Sequence, residues 1–323
     1  MPGKYISSSD GIRIHYKCHG RRDRKPLLLL NGLGGNTNVW EKYIDALRDS
    51  YYLVTIDYRG FGHSDRPPRI EAYRIERFID DLQCVLDNEK IDEHAIVGHS
   101  FGGFLGLHHA HLTRKKIAHG IIIQSSLENS ALWKRLATKL PVNSFVESLL
   151  QVAPTIYRKS YQKPAPHKIK WELEPVHIIK DIIHASPFSY MATMYNHQNC
   201  TSRIGPMPMQ TLLITGKKDR IYPARQVHKL KPVVPNHTIV EYDDNHLLPF
   251  NNPPVIIEHI KNFIPAELHS NGKSHHKKPE INDLPDIGLR WPGAVRQPCF
   301  SPCDLQSSAI NRQIEPALCP EEQ

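Results

Sequence analysis

Ser100, Asp219 and His246 are the residues whose types and settings could together cleave a carbonyl compound. Ser100 sits in Gly98-His99-Ser100-Phe101-Gly102, a G-x-S-x-G in which a serine occupies a sharp turn from strand to helix. An unassisted hydroxyl is a weak nucleophile. It needs a histidine to take its proton and a carboxylate to orient that imidazole. Asp219 follows the apolar run 211–215, and His246 ends Asp243-Asp244-Asn245-His246, just past the apolar run 238–242. The chain order serine, acid, histidine is the one expected of an elbow serine. A tetrahedral intermediate also needs donors for its oxyanion. The backbone N–H of Phe101, at the start of a helix, supplies one, and Leu33 in the glycine-rich loop Asn31-Gly32-Leu33-Gly34-Gly35 supplies the other.

These residues compete with plainer neighbours. Glu128, after the apolar run 121–123, is the rival for the acid. His246 is one of twenty histidines, and its place after the last strand singles it out. His108, His109 and His111 stand on the predicted helix after Ser100, and the first and last share a face, but helix-surface histidines are commoner than metal ligands, so no metal is expected.

The elements that must position these residues follow from hydrophobic spacing. Short unbroken apolar runs at 26–30, 52–56, 95–97, 121–123 and 211–215 read as strands buried on both faces of a parallel sheet. Between them, Trp40, Tyr43, Ile44 and Leu47, then Ile75, Phe78, Ile79, Leu82 and Leu86, recur at helical spacing. A helix is predicted from about Phe101 to Leu112, and Pro253-Pro254 opens a last one. Strands alternating with helices give an α/β fold, a mostly parallel, doubly wound sheet. Residues 1–126 and 209–266 form this core. Residues 127–208, helix-like with no clear strand, are expected to lie over the carboxyl ends of the strands as a cap. Residues 267–323, rich in Pro and Ser, read as a disordered tail.

The chain resembles the α/β-hydrolase superfamily in five pieces. They are the elbow 98–103, the loop 31–35, Asp57-Tyr58-Arg59-Gly60-Phe61-Gly62-His63-Ser64, the acid loop 216–223 and the His246 loop. The resemblance covers about residues 4–266. It implies Ser100 as nucleophile, His246 as general base and then acid, Asp219 as orienting carboxylate, and Leu33 and Phe101 as backbone oxyanion donors. Gly32, Gly98, Gly102, Asp57 and Arg59 are expected to support the site. Asn31 stands where many members carry histidine. A serine nucleophile argues against the superfamily's epoxide hydrolases and haloalkane dehalogenases, which use aspartate.

With 323 residues, 23% charged and 40% hydrophobic, the composition is that of an ordinary globular protein. The net charge of +8 comes without RNP-like, zinc-finger or long basic motifs, so no nucleic-acid partner is expected. Six cysteines are scattered rather than framed for disulfides. No signal peptide or membrane span is legible, and the expected location is cytoplasmic. The expected function is a cofactor-free serine hydrolase of a carboxylic ester, lipid or other apolar acyl esters included. Thioesterase, lactonase, C–C hydrolase and haloperoxidase-like activities share the triad, and a non-catalytic binding role is the alternative from another class. The small-molecule ester is the expected partner, with no specific protein partner. The cap's basic residues, Lys134, Arg135 and Lys139 among them, would suit peripheral contact with an anionic membrane.

Overall fold

Leu27 and Leu29 face one side of β3 (Lys25–Leu30) while Leu28 and Leu30 face the other. Successive strand residues point to opposite faces, so an unbroken apolar run must be covered twice. The same holds for β4 (Tyr51–Ile56), buried throughout, and for β5 (Glu93–His99). The computed structural model describes residues 3–113, 115–128, 186–198, 200, 204–266 and 295–296.

β1 (Lys4–Ser7) and β2 (Arg13–His19) form an antiparallel hairpin at one edge. β6 (Lys116–Ile123), β7 (Gln210–Gly216) and β8 (His237–Tyr242) continue the sheet on the other side of β5. The order is β1-β2-β4-β3-β5-β6-β7-β8-β9. The pairings from β4 through β3, β5, β6 and β7 to β8 are all parallel. The dipeptide β9 (Val295–Arg296) pairs antiparallel with β8; the rest of 267–323 lies outside the described residues.

Helices cover both faces. α1 (Glu41–Leu47) and α7 (Pro253–Phe263) bury Tyr43, Ile44, Ile256 and Ile260 with Leu27, Leu29 and Val97. On the opposite face α2 (Ile75–Asn88) and α3 (Phe101–Leu112) pack against Leu28, Leu30 and Ile96. α2 starts after a 3₁₀ turn at Ile70–Tyr73, and the extended Arg74 separates the two. α4 (Pro187–Gln198) lies within the predicted cap, and its Phe188 and Ala192 join the α2–α3 cluster. Residues 129–185, with the basic stretch expected to meet membrane, lie outside the described residues. Two short helices, α5 (Ala224–Val227) and α6 (Leu248–Asn251), follow β7 and β8. Among the described residues no helix is long and apolar enough to cross a membrane.

One expectation needs correction. His108 and His109 are not surface residues: both are buried, and only His111 is exposed. The cause is that α3 is apolar around most of its circumference and sits between the sheet, α2 and α4. His109 Nε2 lies 3.1 Å from His94 Nε2 of β5, and the His108 ring packs on Phe104.

Candidate active site

The elbow is a strained point of the sheet. Ser100 has φ +54° and ψ −122°, a conformation that costs a non-glycine residue roughly 1–3 kcal/mol. Its neighbours over-determine it. Ser100 N donates to Ile123 O at 3.0 Å, and Ser100 O accepts from Gly103 N, Phe104 N and Ser125 Oγ. The close approach excludes side chains: a Cβ on Gly98 would stand 2.6 Å from Gly102 O, and one on Gly102 would collide with Leu30 O.

The acid and the histidine come from the loops that follow β7 and β8. Asp219 Oδ1 accepts from Ile221 N and Tyr222 N at 2.8 and 2.9 Å, which fixes the carboxylate and turns Oδ2 to His246. His246 Nδ1 lies 2.8 Å from Asp219 Oδ2, and His246 Nε2 lies 2.9 Å from Ser100 Oγ. A carboxylate only accepts, so Nδ1 carries the proton and the Nε2 lone pair faces the hydroxyl. That is the tautomer a general base needs. The Asp219 side chain is fully enclosed, while the His246 side chain keeps 13% exposure. Glu128, the rival acid, is engaged by Lys229 Nζ at 2.6 Å.

Two residues that the sequence did not bring forward hold the histidine loop. Gln124, at the end of β6 with φ +48°, donates its Nε2–H to Asn245 O. His99, inside the elbow, lies with Nε2 3.0 Å from His246 O and its ring 4.9 Å from that of His246. No periodicity or motif marks Gln124. His99 was in view, but as the variable position of G-x-S-x-G.

Of the two expected oxyanion donors, Phe101 follows Ser100 directly, and Leu33 follows Gly32, which lies beside that serine. Phe101 opens α3, and the first amides of a helix have no partner within it. The loop of Leu33 passes beside the serine: a Cβ on Gly32 would be 3.4 Å from Ser100 Cβ. Tyr58 Oη, donating to Asn31 O at 2.9 Å, pins the loop's start.

Asp57 and Arg59 lie away from the reacting atoms, in buried networks. Asp57 Oδ1 accepts from Thr37 N at 2.6 Å, tying the end of β4 to the loop that carries Leu33. Asp57 Oδ2 accepts from His15 Nδ1 at 2.8 Å, His63 N at 2.9 Å and His63 Nδ1 at 3.2 Å. Burial pushes this carboxyl upward, but the hydrogen bonds from His15 and His63 outweigh it and hold it well below the usual carboxylate range. Among the described residues, His15, Asp57 and His63 are the group with metal-ligand spacing. Their atoms are already engaged with one another and with the backbone, which makes the cluster complete as a hydrogen-bond network. Arg59 uses its fork on Asp81, at 2.7 Å to each oxygen, and reaches Asp10 and Ala72 O as well.

Sheet order, strained elbow and strand-end loops together define the α/β-hydrolase fold. A family model described as "alpha/beta hydrolase fold" matches residues 25–169. A hydrolase structure from Pseudomonas aeruginosa superposes with a TM-score of 0.64 at 20% identity, covering 82% of this chain and 98% of that one. The chain thus has the α/β-hydrolase fold. Among curated relatives, epoxide hydrolase 3 of Xenopus tropicalis is 36% identical over 122 residues, 38% of this chain and 33% of that protein. The 3-oxoadipate enol-lactonase 2 of Acinetobacter baylyi is 31% identical over 99 residues, 31% of this chain and 36% of that protein. The chain thus spans about a third of the length of these two relatives.

Proposed function

We propose that the chain is a serine hydrolase that cleaves carboxylic esters, lactones included, through an acyl-enzyme on Ser100. One observation carries the reading: the His246 imidazole bridges Asp219 Oδ2 and Ser100 Oγ at 2.8 and 2.9 Å. As Ser100 Oγ attacks the ester carbonyl, His246 Nε2 takes its proton and Asp219 stabilises the imidazolium. The oxyanion accepts from the amides of Phe101 and Leu33. His246 then returns the proton to the departing alcohol. Water, deprotonated by the same nitrogen, attacks the acyl carbon and releases the acid. An enol-lactone, the substrate in the name of one relative, is an ester closed on itself, so the same steps open it. Leu33 and Leu127, partly buried against the core that holds Phe101, Phe104 and Phe188, favour an apolar acyl group.

The likeness to an epoxide hydrolase does not extend to that activity in this reading. A carboxylate that opens an epoxide forms an ester, whose carbonyl water can attack. A serine that opens one forms an ether, which has no carbonyl and blocks the enzyme after one turnover. A fluorophosphonate probe should label the protein, and labelling should vanish in Ser100→Ala and His246→Ala. p-Nitrophenyl esters of graded chain length should be turned over, with styrene oxide untouched. A folded protein that neither takes the probe nor cleaves any ester of the series would sink the reading.

A further inference from the structure

A cavity of about 10 Å³ lies behind the elbow, between Asn31, Trp40 and His99, with apolar walls from Val39, Tyr43 and Phe250. Each of the three polar residues contributes a buried atom with no partner among the described residues: Asn31 Oδ1, Trp40 Nε1 and His99 Nδ1. The residues themselves are 1%, 2% and 4% exposed. Buried polar atoms are almost always hydrogen-bonded, so three around one small cavity require an explanation.

The donor and acceptor roles can be assigned. His246 O only accepts, so His99 Nε2 carries the ring proton across 3.0 Å and His99 Nδ1 is a bare lone pair. Asn31 Nδ2 donates to Gly32 O at 3.1 Å, which leaves Oδ1 as an acceptor. The indole Nε1–H only donates. The residues that line the cavity therefore carry two free acceptors and one free donor among the described contacts. Its complement must donate twice and accept once. Ammonium cannot accept, a halide cannot donate, and a metal cation would face the indole hydrogen. Water fits the valence, and the volume is about that of one water site.

We propose that this cavity binds one ordered water, held by Asn31 Oδ1, Trp40 Nε1 and His99 Nδ1, and that His99, so fixed, is a positioning residue for the His246 loop. The water links the loop of Leu33, the elbow and the start of α1. Through His99 Nε2–H the link reaches the His246 backbone. Burial first, and the nearby His246 second, press the His99 pKa down to about 3, so His99 stays neutral and keeps this donor pattern through the neutral pH range. The water site stands apart from the proposed activity; the positioning role rests on it.

The test is a high-resolution crystal structure of the full chain with 15N spectra of its histidines. Density within hydrogen-bond distance of all three atoms is expected. His99 should be protonated at Nε2, with an Nδ1 signal that moves in Trp40→Phe. A dry cavity, or a proton on His99 Nδ1, overturns the water. His99→Leu should lower kcat about tenfold, as the loss of one buried hydrogen bond does, with KM unchanged. His99→Gln, which keeps one donor and one acceptor, should recover most of it. Equal kcat in the two variants overturns the positioning role. If the wild type cleaves no ester, or His99→Leu does not fold, the His246 15N signals of Trp40→Phe and His99→Gln answer instead. They should shift in Trp40→Phe and stay near wild type in His99→Gln, and unmoved signals in Trp40→Phe overturn the role.

Discussion

Asp57 and Asp219 both lie beyond the carboxyl ends of strands, both are buried, and both take a histidine Nδ1 at 2.8 Å. What differs is the other side of the imidazole. His15 stands within β2, and its Nε2 is covered by the backbone of Gly3, where a Cβ would collide with it. His246 stands in a loop, and its Nε2 faces a serine on a strained turn. Asp57 Oδ2 is shared among three donors, whereas His246 is the sole side chain bonded to Asp219 Oδ2 among the described contacts. An aspartate–histidine pair is therefore a support by default. It becomes a proton relay only when its outer nitrogen is left open toward a nucleophile.

Exchanging one carboxylate oxygen for an amide breaks this comparison most sharply. Asp219→Asn should lower kcat by about 10⁴-fold, because the wrong imidazole tautomer is then favoured, with the urea midpoint almost unmoved. Ester turnover and urea unfolding, measured on the same preparation, check both halves. The same exchange at Asp57 should act the other way round. Asp57→Asn sets an amide donor or a lost acceptor against Thr37 N, His63 N and His15, at a loss of about 2–3 kcal/mol of stability. Its kcat per folded molecule should fall less than tenfold. A kcat loss as large as that of Asp219→Asn would erase the distinction between the two pairs.

Acid should separate the two regions as well. Burial is the leading cause that presses the pKa values of His108, His109 and His197 down to about 4, and it also holds His94 well below its ordinary value. In the unfolded chain these groups titrate near 6.5. Between those values the unfolded state binds more protons, so the stability they confer is complete above pH 6.5 and is lost as pH falls toward 4. All four lie on or against α3, the helix behind Ser100, and none touches Asp57. Hydrogen exchange at falling pH should open α3 and α4 before β2 and β4. A melting temperature that stays flat from pH 7 to 5 would contradict this. The smallest effect is expected at His63, which is partly exposed and holds Asp57 over 3.2 Å. His63→Ala should cost about 0.5–1 kcal/mol in urea unfolding and leave kcat unchanged.

Much of this was legible in the sequence because burial on both faces leaves a plain signature. The runs 26–30, 52–56 and 211–215 are apolar without alternation, and each is a central parallel strand. Ser100, Asp219 and His246 could be placed at strand ends from the runs 95–97, 211–215 and 238–242. The side chains behind them could not. The buried state of His108 depends on α4 packing over α3, where His197 packs on the same Phe104, a tertiary event that no spacing on α3 records. Gln124 acts through a left-handed backbone and a side-chain amide, for which the sequence offers no periodic trace. The site of His99 is defined by Trp40 and Asn31, distant in sequence and joined only by the fold.

The order of the strands also fixes when the site can exist. Asp219 and His246 are 27 residues apart on adjacent strands, whereas His246 and Ser100 are 146 apart, with β6 and β7 between their strands. Loop closure grows only as the logarithm of length, about 0.6 kcal/mol per doubling, so lengthening the segment between β6 and β7 adds little to it. The near pair closes with its own two strands. The serine joins only when β5 to β8 are all in register, so reactivity at Ser100 is a chemical timestamp of the finished sheet.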